Sequence, residues 1–256
     1  MLTTTWHSRY NLNSRLKTKF RRKLNTFQKK CPNITPFMVK TKDMASNWWG
    51  KAWNANLKKY TFNTIRLEKG KLLFKCEALA DFKINSDHIK AIVLGSNINP
   101  YKVKITFEPI SETKWSNIQT LYAGSLESFE KILDNQFPNE MTDIFTNKLS
   151  GLFPSQKEIS FNCSCSDRVN LCKHTAVALY ALGVKIDNDP KLLFELRGVS
   201  ILDLISKSIH EQRKNILKKA RNKSPKVLKD TNLSDIFNIE IQQGRSLQSS
   251  GNSNQH

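Results

Sequence analysis

The chain has 256 residues, 39% of them hydrophobic, and a formal net charge of +19 from 41 Lys/Arg against 22 Asp/Glu. That length suits one domain of moderate size with extensions, or two small ones. No apolar run is long enough to span a bilayer and no signal-peptide pattern opens the chain, which argues against a membrane or secreted protein.

The charge is segregated. Residues 1–42 hold 11 Lys/Arg and no acid, and residues 207–229 hold 9 Lys/Arg and one Glu. Those two stretches carry the whole net charge, so the rest of the chain is neutral by subtraction. A neutral body with two basic ends is the electrostatic footprint of a nucleic-acid binder. Solvated ends in a Lys-rich sequence have the same composition. Residues 1–43 read as a basic flexible arm without a periodic apolar stripe. Its Arg and Ser/Thr content and lack of acid also suit a transit peptide if the source is eukaryotic. Cys31 and His7 lie in this arm with no donor cluster around them.

After the arm, Ser46 or Asn47 starts a helix through Tyr60, in which Trp49, Trp53, Leu57 and Tyr60 form one stripe. Such a stripe is more often core than a base-stacking platform for Trp48, Trp49 and Trp53. Gly50 costs about 1 kcal/mol inside it, which favours close packing at that point. Alternation of Leu72, Phe74, Cys76 and Ala78 with Leu73, Lys75 and Glu77 predicts a strand, with Cys76 in the core. Ile89–Leu94 and Tyr101–Phe107 predict two more, joined by the turn Gly95–Pro100, in an antiparallel sheet with one wet face. Helices are then expected over Ser111–Tyr122, Ser125–Asn135 and Asn139–Leu149, the last ending at Gly151.

The segment Cys163-Ser-Cys165, a polar loop, then Cys172-Lys-His174 gathers four of the chain's ten Cys and His within twelve residues. Three thiolates and one imidazole complete a closed zinc tetrahedron, leaving no position for water, so the site is structural. In an extended Glu158–Cys165, residues 163 and 165 point to one face. In a helix they would stand about 200° apart. Cys172 is therefore expected in the turn before a helix, with His174 in its first turn. Arg168 and Lys173 offset the net negative charge of the loaded site. The other nitrogen of His174 is expected to donate to a carbonyl or carboxylate. Reduced thiols held by one zinc ion fit an intracellular compartment: cytoplasmic, or nuclear or organellar in a eukaryote.

The helix opened by Cys172 is expected to stop at Gly183. Asp189 then caps a short helix with Pro190 at its start and Gly198 at its end. Ser200 with Asp203 starts a long helix carrying the second basic cluster. Residues 223–256 read as a mostly disordered tail. Within it, Leu233, Ile236, Phe237, Ile239 and Ile241 form either a docking peptide or a strand.

The fold class is α+β: an antiparallel sheet with helices over 44–150, a small ββα zinc finger over 151–186, and C-terminal helices with a basic end over 187–222. Cys-x-Cys, a loop and Cys-x-His opening an apolar helix resembles the SWIM zinc finger, and in particular small prokaryotic SWIM proteins associated with Swi/Snf-type helicases. Lys173–Leu182, Asp189–Gly198, Trp48-Trp-Gly-Lys-Ala-Trp53, and Gly95-Ser96 with Tyr101-Lys-Val103 match that group from about Met44 to Leu204. The Arg/Gly-rich link usual after the Trp element is replaced here by the shorter Tyr60–Gly70.

No Gly-rich phosphate loop, no nucleophile beside a base and no open metal position is present. Acidic pairs such as Asp134/Glu140 and Glu127/Glu130 read as solvated faces. The chain is therefore not expected to be an enzyme. Composition and resemblance together imply a zinc-binding module that binds DNA or RNA through its basic ends, working alongside a Swi/Snf-type ATPase. The alternative is a protein-interaction adaptor that docks onto such an ATPase or a recombination factor through the finger helix or residues 231–241.

Overall fold

Every element that positions the four predicted ligands packs on one buried helix, Lys173–Asn188. The computed structural model describes residues 4–37, 44–121, 139–147, 151–167 and 169–221. In chain order it has α1 (Thr4–Lys30), α2 (Trp48–Asn56) running into a 3-10 turn (Leu57–Tyr60), and α3 (Thr64–Lys75). Three strands follow: β1 (Leu79–Ile84), β2 (His88–Val93) and β3 (Tyr101–Phe107). Then come α4 (Glu112–Leu121), the short α5 (Thr142–Thr146), β4 (Ile159–Cys163), α6 (Lys173–Asn188), α7 (Lys191–Leu196) and α8 (Ile201–Arg221). Residues 1–211 make one compact unit, and residues 212–256 a second, described only through the last turns of α8. Among the described residues no helix is long and apolar enough to cross a membrane.

Helix α6 buries twelve of its sixteen residues, as a helix apolar on nearly all sides must. On one side lies α2. Trp49 Nε1 donates to the carbonyl of Ile186 (3.1 Å), and Trp53 Nε1 to that of Leu179 (3.0 Å). The Asp187 carboxylate accepts from the backbone N–H groups of Ser46 and Asn47, both at 2.9 Å, and so caps α2 from another helix. A Cβ at Gly50 would stand 2.3 Å from Asp187 Oδ1, which explains the glycine. Trp49 and Trp53 are thus core residues with satisfied indole N–H groups.

Helix α3 packs on α6 beside α2. Asn63 caps it, and Leu67, Gly70 and Phe74 are its buried positions at helical spacing. A Cβ at Gly70 would stand 2.4 Å from that of Ala176, so the backbones approach closely there. This corrects the strand expected over Leu72–Ala78. Two-residue alternation was coincidental, and residues 64–70 are helix rather than link. Cys76 is buried, as expected of a core thiol.

The sheet is antiparallel throughout, in the order β1-β2-β3-β4. β2 and β3 are registered Val93↔Tyr101 and Ala91↔Val103 across the Gly95–Pro100 turn. The wet-face alternation of β3 is as expected, with Val103, Ile105 and Phe107 buried. β4, the strand of the finger, pairs with β3 (Val103↔Cys163), so the finger shares the sheet and core of the preceding residues. The strand ends at Cys163, two residues earlier than the predicted Cys165.

Other boundaries follow packing. α4 starts beside Ser111, and Asp189, Gly198 (φ +69°) and Ser200 punctuate α7 and α8 as read. Gly183 does not stop α6. Its missing side chain admits Trp53, whose ring a Cβ would meet at 2.8 Å. The helix expected to Leu149 ends at Thr146, because Leu152 and Phe153 return their N–H groups to the carbonyls of Ile144 and Phe145. The helix at Ser125–Asn135, the segment 231–241 and Arg168 lie outside the described residues.

The basic arm is the largest correction. Residues 4–30 form one helix, with Phe20 and Leu24 buried and Leu16 and Phe27 packed beside them. These residues recur every three or four positions, a stripe diluted by the cations around it. Arg21 donates both Nε and Nη2 to the Glu77 carboxylate (2.6 and 3.0 Å), and Lys17 joins at 2.9 Å. Lys23 Nζ donates to the carbonyls of Gly95, Ser96 and Asn97 in the β2–β3 turn.

Candidate metal centre

Three elements deliver the four predicted ligands to one point: Cys163 closes β4, Cys165 follows two residues later, and Cys172 and His174 open α6. Their donor atoms all lie within 4.8 Å of one another. A zinc–sulfur distance of about 2.3 Å sets tetrahedral sulfur–sulfur edges of about 3.8 Å. His174 Nδ1 sits 3.9 Å from the Sγ atoms of both Cys163 and Cys172. The donor set and its spacing fit one closed, four-coordinate ion, with Nδ1 as the imidazole ligand.

Local backbone chemistry places each donor. Cys172 is the N-cap of α6, extended at φ −89° and ψ 170°. Its Sγ accepts the Thr175 N–H at 3.4 Å, and the Thr175 hydroxyl lies 3.3 Å away. A thiolate is favoured there, because the N-terminal N–H groups point at it. The strand that carries Cys163 is extended one step beyond its end. Ser164 N–H donates to the Lys102 carbonyl and Lys102 N–H to Ser164 Oγ, both at 3.0 Å. That pair holds the Cys163–Cys165 corner against β3. The loop between the two ligand pairs is tied to α3 by the ion pair of Asp167 with Arg66.

As free thiols, Cys163 and Cys172 shift in opposite directions. The hydrogen bond between them comes first in both shifts: it draws the Cys172 thiol well below its ordinary value and pushes Cys163 up, with burial adding to the rise. His174 and Thr175 further favour the Cys172 thiolate. Of the two sulfurs, Cys172 is the one whose surroundings favour the thiolate that a metal cation needs.

His174 is held differently from the sequence expectation. Its ring stacks on Tyr101 at 3.8 Å between centroids and 19° between planes. Nε2 is buried and, among the described residues, meets no acceptor. It faces Gly95, where an added Cβ would stand 3.4 Å from it. Stacking, rather than a hydrogen bond to a carbonyl or carboxylate, fixes the imidazole. Sequence placed Tyr101 at a strand start and Gly95 in a turn, both within the Gly-Ser…Tyr-x-Val resemblance, but gave neither a role at the metal centre, and Thr175 gave no signal beyond its place in the first helical turn.

The chain is 27% identical over 164 residues to Uncharacterized protein Rv2102 of Mycobacterium tuberculosis. That match covers 64% of this chain and 59% of the relative, so the chain spans well under two thirds of the relative's length. No family model matches the chain, and no solved structure matches it.

A second buried polar site lies away from the metal cluster. Arg197, fully buried, donates to the Glu108 carbonyl (2.7 Å) and to Glu158 Oε1 (2.8 Å). Lys114 donates to that same oxygen at 2.9 Å, and Ser155 N–H to Oε2 at 2.8 Å. This network joins α4, α7 and the approach to β4, and each of its contacts reads as structural.

Proposed function

We propose that this chain is a non-enzymatic module, stabilised by one structural zinc ion, that binds nucleic acid in DNA transactions beside a Swi/Snf-type ATPase. Zinc is favoured over other ions by three thiolates and one imidazole in a closed tetrahedron, a set that leaves no coordination site for chemistry. The resemblance to SWIM fingers supplies the ATPase partner.

The observation that carries the nucleic-acid reading is helix α1. It is 27 residues long without one acidic side chain, and it is docked on the body rather than trailing from it. A cationic surface on a rigid scaffold attracts phosphate backbones without ordering a loose segment first.

The adaptor reading keeps one specific support, the exposed Leu202 and Ile209 on α8. Of its two expected routes, α6 is too buried to offer a partner a face, and residues 231–241 lie outside the described residues. A pull-down with and without nuclease treatment separates the two. Partners lost on nuclease treatment support nucleic-acid binding, and partners retained support the adaptor.

A further inference from the structure

Helix α1 has two faces with different roles. Its inner face is spent on the body: Phe20 and Leu24 are buried, Lys17 and Arg21 grip Glu77, and Lys23 holds the β2–β3 turn. Its outer face, between Asn13 and Lys30, exposes eleven residues. Six are the cations Arg15, Lys19, Arg21, Arg22, Lys29 and Lys30, of which Arg21 reaches back to Glu77, and the other five are Asn, Ser or Thr. None is apolar and none is acidic.

Arg15, Lys19, Arg22 and Lys29 recur at steps of four, three and seven residues. At about 100° per residue they fall within roughly 80° of one another, along about 21 Å of helix axis. Among the described residues none of the four has a carboxylate partner. A solvated helix face ordinarily mixes both signs. This one is a straight ridge of unpaired cations with amide and hydroxyl groups between them, the donor types that contact phosphate and sugar.

We infer that the outer ridge of α1 lies along the sugar-phosphate backbone of a nucleic-acid double helix and binds it without reading sequence. The inference rests on the nucleic-acid reading above and names its surface and ligand form. A duplex is favoured over a single strand because single-strand sites pair their cations with aromatic stacking platforms, and no aromatic is exposed on this ridge between Asn13 and Lys30. An anionic membrane is disfavoured because the apolar stripe that would insert is already buried in the body. An acidic protein is disfavoured by regular spacing, which suits a regular linear polyanion.

The test measures binding of the full chain to duplex DNA by fluorescence anisotropy across a salt series. One variant carries Arg15→Ala, Lys19→Ala, Arg22→Ala and Lys29→Ala. A control loses the same charge from exposed positions elsewhere, through Lys51→Ala, Lys58→Ala, Lys59→Ala and Lys69→Ala. All eight side chains are exposed, so both proteins should melt as the parent does. The ridge variant should bind at least about tenfold more weakly at low salt. Its log–log salt slope should shrink by up to about 3.6, at about 0.9 per lost phosphate contact. The control should stay near the parent.

Equal losses in both variants would overturn the ridge. So would tighter binding to single-stranded DNA than to duplex, or displacement of the duplex by polyglutamate of equal charge. An unchanged ridge variant beside a loss on Lys214→Ala/Lys218→Ala/Lys219→Ala would overturn the ridge and leave the nucleic-acid reading standing. A parent protein that binds no nucleic acid in a salt-dependent way removes both.

Discussion

The imidazole of His174 lies flat on the phenol ring of Tyr101, 3.8 Å between centroids. Tyr101 begins β3, and the Gly95 at the other end of the same turn is held by Lys23 of α1 through a 2.6 Å hydrogen bond. The metal centre is thus buttressed by the sheet and, one residue further out, by the basic helix. The stack holds the ring with Nδ1 aimed at the sulfurs.

Replacing Tyr101 should therefore loosen the metal without removing any ligand. Tyr101→Ala is expected to weaken zinc affinity about tenfold, in the range found when a group supporting a ligand is lost. Tyr101→Phe keeps the stack and should hold metal as the parent does. Competition with a chromogenic chelator measures both, and equal affinities for Tyr101→Ala and the parent would exclude the buttress.

His174 itself distinguishes ligand from packing residue. His174→Cys retains a four-thiolate set that zinc accepts, although the shorter side chain strains it. His174→Ala opens the tetrahedron. Zinc retention should fall in the order parent, Cys variant, Ala variant, read by metal content after dialysis against chelator. A core histidine with no metal role would give equal retention in all three.

Glu158 is one source of acid sensitivity in the body outside the metal centre. Burial alone would raise its carboxyl, but Lys114, Ser155 and Arg197 outweigh that and hold it at about 2. A carboxyl depressed below the ordinary value of about 4.3 contributes fully above that pH and loses its contribution as pH falls toward 2. Glu158→Gln should cost about 3 kcal/mol at pH 7, since it leaves the buried Arg197 guanidinium without its carboxylate. The gap between parent and variant should close as pH drops through that window. Urea unfolding of both proteins at several pH values measures it, with acid loss of metal common to the pair. A gap that stays constant to pH 2 would rule out the ionised carboxylate as its source.

Glu77 stores a different quantity. It stands at φ +63°, just past the end of α3, where its own N–H and that of Ala78 return to the carbonyls of Phe74 and Leu73. Glycine is the usual residue at such a helix end, and a side chain there costs about 1 kcal/mol or more. The carboxylate compensates by latching α1 through Arg21 and Lys17. Glu77→Gly should leave the melting of the body almost unchanged, yet speed hydrogen exchange in α1. Unchanged protection of α1 would show that its apolar stripe alone docks it.

Local signals were legible wherever a residue's task is set by its neighbours in sequence. The spacing of Cys163, Cys165, Cys172 and His174 identified one cluster because strand and helix-start geometry each constrain a pair. Alternation in β3 and the caps at Ser111, Asp189 and Ser200 worked for the same reason. Long-range packing was not legible. Phe74 fits a strand or a helix until Ala176 is seen against Gly70, and Gly183 looks like a stop until Trp53 fills its place. The stripe Leu16, Phe20, Leu24 and Phe27 was hidden by the cations, and its docking partner Glu77 lies 56 residues from Arg21.

Under the proposed function, the ion held by Cys163, Cys165, Cys172 and His174 is zinc, and its binding energy is folding energy for residues 158–183. Native mass spectrometry with elemental analysis, on the parent and the Cys163→Ser/Cys172→Ser double variant, tests it most directly. One zinc per chain is expected in the parent and none in the double variant, with the melting transition lowered. Stoichiometric zinc retained by the double variant, or a parent purified under reducing conditions with no metal and no zinc-dependent rise in melting temperature, would contradict it.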